Sequence, residues 1–135
     1  TDDPEINDAA AAAARDHGAL CNRADRSGSR DPDSVVVPAT IRDDPVVAAL
    51  ATGGTAPALS RHLRQQLADE IDGAGAMAEL LGEIRTELKA DEPDPERRRR
   101  AVREVLESQT VWKDLGTEPA KARREADRIV REVTE

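Results

Sequence analysis

The stretch Asp44-Pro-Val-Val-Ala-Ala-Leu-Ala-Thr-Gly-Gly-Thr-Ala-Pro-Ala-Leu-Ser60 decides how this chain is read. Val46 to Leu50 is a short apolar run with β-branched residues, the pattern of a strand covered on both faces. Gly53-Gly54 lets the backbone take positive φ and lets a ligand come close. Pro57 suits the first turn of a helix, where its missing N–H would be unpaired anyway. Leu59, Leu63, Leu67 and Ile71 then recur at i+4, which predicts a helix from about Ala56 to Ile71. Strand, glycine turn and helix leave free N–H groups aimed at the turn, a natural place for an anionic group. The same pattern also serves as a tight turn with no ligand.

Upstream, Ser34 to Ile41 carries Val35, Val36, Val37 and Ile41, interrupted by Pro38. A proline demotes a central strand, so an edge or a bulge is expected there. Arg42 to Pro45 turns this segment into the Val46–Leu50 strand, making a hairpin. Arg23 to Asp33 is a polar loop rich in turn formers, and Ala19 to Asn22 is a short strand candidate. Asp3 can cap and Pro4 can open a first helix running through the alanines to Ala14, with Gly18 as its stop. Beginning at a helix cap without an initiator Met, the chain reads as a piece of something longer.

Downstream the chain is helical. Gly73 and Gly75 are expected to break it. Met77, Leu80, Leu81, Ile84 and Leu88 mark one helix, and Val102, Val105 and Leu106 a second that Asp94 and Pro95 open. Thr110 to Leu115 is a short turn stopped at Gly116. A last helix starts near Pro119 and carries Ala122, Ala126, Ile129, Val130 and Val133.

The 135 residues include one Trp (Trp112), no Phe and no Tyr, so any core is aliphatic and thin. A thin core favours burial against a second copy or another domain. The net charge of −8 argues against general nucleic-acid binding, which needs a basic surface. Of 20 basic residues only Lys89, Lys113 and Lys121 are lysine; an Asp-rich, Lys-poor surface suits a halophilic protein. Cys21 is the single cysteine, which excludes an intrachain disulfide. No apolar run approaches the ~18 residues of a membrane span, so no membrane partner and a cytoplasmic location are expected.

Asp25 follows the Leu20-Cys21-Asn22 strand candidate at the mouth of the polar loop. A carboxylate there can act as a base, bind a metal, or simply form a turn. Cys21 reads as a buried structural residue. His17 and His62 lack a second ligand at metal spacing. Arg97 to Arg100 is a basic run that serves as a solvated face or as a site for an acidic ligand.

The ordered set Thr1-Asp2-Asp3 with Asn7, Cys21-Asn22 with Asp25, Val37-Pro38, and Thr52-Gly53-Gly54-Thr55 with Pro57-Ala58-Leu59 and Arg61-Leu63-Arg64 resembles the precorrin-2 dehydrogenase/ferrochelatase module of siroheme synthases. The match is strong over residues 1 to 71 and weak beyond, where Glu96-Arg97-Arg98-Arg99 resembles the family's basic helix. The resemblance implies NAD-dependent oxidation of the tetrapyrrole precorrin-2 to sirohydrochlorin, with Fe²⁺ insertion as a further reaction in some members. It implies a homodimer. It makes Asp25 the catalytic residue and a tentative metal handler. It places Thr1, Asp2 and Asn7 near the nicotinamide, and Asn22, Thr52, Gly53, Gly54, Thr55 and Arg61 at the substrate. Arg64 and the Arg97–Arg100 run could add positive charge for a polycarboxylate. The glycine-rich dinucleotide fingerprint is missing, so most of the NAD site would lie outside this chain. Three departures stand out: a longer loop between Asp25 and Pro38, valines before Pro38, and Ala56 where a capping Ser is usual.

The expected architecture is an α+β fragment. Residues 1–33 would be the end of a Rossmann domain, 34–73 a dimerisation region of hairpin plus helix, and 74–135 a helical domain. A non-catalytic dimerisation and helical module, or the tail of another Rossmann-type dehydrogenase, are the alternatives.

Overall fold

A computed structural model gives the fold, and the residues it describes are 1–26, 35, 37–53 and 55–135. Among them are six helices and one two-stranded antiparallel hairpin: α1 (Pro4–Asp16), β1 (Ala39–Asp43), β2 (Val46–Leu50), α2 (Pro57–Glu70), α3 (Ala74–Asp91), α4 (Pro95–Glu107), α5 (Gln109–Leu115) and α6 (Pro119–Thr134). The chain divides into two compact units, one of residues 1–41 and 48–67, the other of residues 42–47 and 68–135.

The second unit owns a core. Met77, Leu80, Ile84 and Leu88 lie on one face of α3 and are buried with Ala101 and Val105 of α4, Val111 of α5, and Ala122, Ala126, Ile129 and Val133 of α6. The alanines at 101, 122 and 126 are fully enclosed, so small side chains let α6 approach its neighbours α4 and α5. The expected faces of the helices hold, except that Leu106 is exposed; its carbonyl accepts from Trp112 Nε1 at 2.7 Å. Asp94 caps α4 through Glu96 N–H at 2.9 Å, and Ser108 caps α5 through Val111 N–H at 3.3 Å.

One contact in this unit was not legible beforehand. Gly75 is not a helix breaker but sits in the first turn of α3. Its N–H, one of the donors a helix start leaves unpaired, donates to Asp43 Oδ2 of the hairpin tip at 2.8 Å. A Cβ at position 75 would lie 2.3 Å from the Asp44 carbonyl oxygen and 2.7 Å from that of Asp43. Glycine is therefore required by close approach of two backbones. Gly73, at φ +82°, is the residue that takes the left-handed turn before α3.

The first unit holds α1, the base of the hairpin and most of α2. Asp3 caps α1, accepting from Glu5 N–H at 2.9 Å and Ile6 N–H at 3.3 Å, and Gly18 turns left-handed after it. Three expectations need correction here. Ala19–Asn22 is not a strand: only Cys21 is a bridge residue, its carbonyl accepting from Val35 N–H at 2.9 Å. The first hairpin strand begins after Pro38, since the proline cannot donate to a ladder. β2 is not covered on both faces; its residues alternate half-buried and exposed, with Val47 49% exposed. A two-stranded ribbon leaves one face open, whereas the apolar run had suggested a central strand. Among the described residues of this unit only Ala11 and Ile41 are buried, while Ile6, Leu20, Val37 and Leu59 are exposed.

Candidate functional site

Asp25 sits in a turn after Cys21, on a chain segment that returns beside the start of α1. Its carboxylate accepts two parallel bonds from one guanidinium: Arg23 Nε to Oδ1 at 2.8 Å and Arg23 Nη2 to Oδ2 at 2.7 Å. The same Arg23 donates through Nη1 to Asp8 Oδ1 of α1 at 2.7 Å, and Arg26 reaches that oxygen at 2.7 Å. Two carboxylates and two guanidiniums therefore form one cluster. Arg23 is its centre, with a side chain only 10% exposed, against 29% for Asp25. The fork from Arg23, and to a lesser degree Asn7, hold the Asp25 carboxyl well below the usual carboxylate range. Asp8 is lowered by the same arginine, and Arg23 is raised in turn.

Asn7 links this cluster to the chain start. Its Nδ2 donates to the Thr1 carbonyl at 2.8 Å, and its Oδ1 accepts from Thr1 Oγ1 at 2.9 Å. So Thr1, Asn7 and Asp25 come together, and Asp2 is exposed beside them. Arg23 was missed by reading the sequence. Its signal was the Arg-x-Asp spacing in Arg23-Ala24-Asp25, which a polar loop disguised.

The glycine turn is a second group. Gly53 adopts φ +62°, Thr55 N–H and Oγ1 donate to the Thr52 carbonyl at 3.2 and 2.9 Å, and Thr52 Oγ1 donates to the Ala56 carbonyl at 3.4 Å. Gly54 lies outside the described residues. No hydrogen bond or ion pair among the described residues joins this turn to the Asp25 cluster. Asn22, Arg61 and Arg64 are exposed, and Cys21 is half-buried rather than buried. Among the described residues no three His, Cys, Asp or Glu side chains converge as a metal-holding group.

The Arg97–Arg100 run is committed to the helical unit. Arg97 and Arg100 donate to the Thr134 and Val133 carbonyls at 3.0 and 2.9 Å, at the negative end of α6. Arg98 donates to the Glu92 and Pro93 carbonyls at 2.6 and 3.1 Å, and Arg99 pairs with Glu96.

No family model matches the chain. Curated relatives do. The chain is 35% identical over 131 residues, 96% of its length, to a siroheme synthase of Chromobacterium violaceum, of which it covers 27%. It is 32% identical over 127 residues, 93% of its length, to a precorrin-2 dehydrogenase of Methanosarcina barkeri, of which it covers 54%. A siroheme synthase of Xylella fastidiosa is 39% identical over 101 residues, 74% of the chain and 21% of that protein. By sequence the chain is homologous to the siroheme synthase and precorrin-2 dehydrogenase family, and it spans about half the length, or less, of the curated relatives it matches. Among the described residues no helix is long and apolar enough to cross a membrane.

Proposed function

We propose that this chain belongs to a protein that oxidises precorrin-2 to sirohydrochlorin, passing a hydride to NAD and a proton to a protein carboxylate. The observation that carries the reading is the kinship to a precorrin-2 dehydrogenase over 93% of the chain. The clustering of Thr1, Asn7, Arg23 and Asp25 supports it, because these residues unite the nicotinamide and catalytic positions that the resemblance implies. NAD would supply the hydride acceptor. Its phosphates need a glycine-rich strand–helix turn, and the described residues hold no such βαβ unit. What this chain contributes is the anionic Asp25, its orienting arginine, and the glycine turn at Thr52 and Gly53.

The proton leaving precorrin-2 requires an acceptor that is ionised at neutral pH. Asp25 meets this condition with a wide margin, since Arg23 stabilises the carboxylate form. The same pairing makes it a weak base until the arginine turns elsewhere. A substrate bearing several carboxylates provides the alternative partner: its side chains can draw the Arg23 guanidinium off Asp25 as they bind. Fe²⁺ insertion would need the same carboxylate, with iron as substrate. The homodimer is proposed on the exposed Ile6, Leu20, Val37 and Leu59 of a unit with only two buried residues among those described.

The test uses the full-length protein, precorrin-2 and NAD. Asp25→Asn lowers turnover by about 10²-fold or more, the scale of a lost general base, and leaves NAD affinity and circular dichroism unchanged. Near wild-type turnover in a folded Asp25→Asn protein would reduce Asp25 to a turn residue.

A further inference from the structure

The helical unit of this acidic protein carries more cationic side chains on part of its surface than its carboxylates match. A surface cavity of about 350 Å³ lies between α3 and α4, a size typical of small-molecule sites. Arg85 and Lys89, one helical turn apart on α3, face Arg98 and Arg99 of α4 across it, and Leu88 and Val102 contribute apolar lining. Some cations of this unit are matched by carboxylates. Arg123 meets Glu83, Glu87 and Asp127; Arg128 meets Glu125 and Glu132; Lys121 meets Asp114. This cavity is lined by four cations and no carboxylate, whereas two others in the unit mix arginines with Asp94 and Glu96 or with Asp114 and Glu125. Arg98 bonds only to neutral carbonyls, so its charge is not neutralised, and Arg99 alone has a carboxylate, Glu96. Arg85 and Lys89 make no ion pair among the described residues.

We propose that this cavity binds a small polycarboxylate with an apolar body. Three uncompensated cations set the ligand's charge at two or three negative groups. The Leu88 and Val102 lining favours a carbon framework over a compact inorganic anion. Arg98, held by two carbonyls, is already oriented, so it loses little freedom when a carboxylate arrives. The inference stands on the cavity alone and does not depend on the dehydrogenase reading.

The experiment is a titration of the 135-residue chain with benzene-1,3,5-tricarboxylate, followed by amide chemical shifts, with pyrophosphate and sulfate as compact comparators at equal ionic strength. Saturable shifts centred on residues 85–102 are expected with the tricarboxylate, and weaker ones with pyrophosphate. The double variant Arg85→Gln/Lys89→Gln weakens tricarboxylate binding by about tenfold or more, the scale of lost charge-assisted hydrogen bonds. Both side chains are exposed, so the variant keeps the wild-type spectrum away from the groove. Absence of saturable shifts, equal binding of sulfate, or an unchanged affinity in the double variant would each overturn the proposal.

Discussion

Two glycines in α3 should respond to alanine with opposite signs. Gly75→Ala drives a methyl to within 2.3 Å of the Asp44 carbonyl oxygen and 2.7 Å of the Asp43 carbonyl oxygen, both backbone atoms that cannot swing away. The hairpin tip must move off the helix, which weakens the Gly75 N–H bond to the Asp43 carboxylate, now 2.8 Å. Overpacking costs about 1–3 kcal/mol. A hydrogen bond to a charged group is worth about 1.5–3 kcal/mol. The helix preference of alanine over glycine returns about 1 kcal/mol. The net expectation is a loss of about 2–4 kcal/mol. Gly82, in the same helix, has nothing within 4 Å of an added Cβ and is exposed, so Gly82→Ala should gain about 0.5–1 kcal/mol. Urea unfolding followed by Trp112 reads both, because that tryptophan is the only one in the chain and packs on the helical core. With a slope of about 1–2 kcal/mol/M, the Gly75→Ala midpoint falls by roughly 1–4 M. A Gly75→Ala protein as stable as the wild type would mean that the tip and α3 are not in contact.

Other outcomes follow from the charge networks. Arg123 binds carboxylates of α3 and of its own helix at 2.6 to 2.9 Å, and Arg123→Ala should cost about 1 kcal/mol, shrinking at high salt because its partners are half-exposed; an unchanged cost in 1 M salt would refute the ionic account. Asp8, Asp25 and Glu125 have folded-state affinities for protons below their ordinary values of 3.8, 3.8 and 4.5, each through an arginine. Lowered values contribute stability above about pH 4 that is lost as pH falls through them. Acid titration by circular dichroism should therefore show the midpoint rise in pH when Arg23 is replaced by leucine, and a midpoint that stays put would deny the pairing.

The helical unit was largely legible because its apolar residues repeat at helical spacing and its starts carry Asp94 and Pro119. Gly75 was misread because a glycine's local meaning, helix breaking, looks the same in sequence as a distant one, room for another backbone. β2 was misread for a related reason. Val46 to Leu50 is apolar enough to be buried on both faces, yet among the described residues β1 is its single strand partner.

The Asp25 cluster shows where reading by residue type runs out. Sequence alone makes Asp25 an ionised carboxylate in a loop, and that property holds in the structure. What it could not give is the partner, since Arg23 is two residues away and Asp8 is seventeen, and only folding makes them one network. The partner changes the chemistry proposed for the site. A free aspartate would be a modest base at all times. An aspartate clamped by a nearly buried arginine is a base only while another anion occupies that arginine. If this proposal holds, substrate carboxylates both bind the site and release its base, so a precorrin-2 analogue lacking carboxylates would leave Asp25 paired with Arg23 and turnover suppressed.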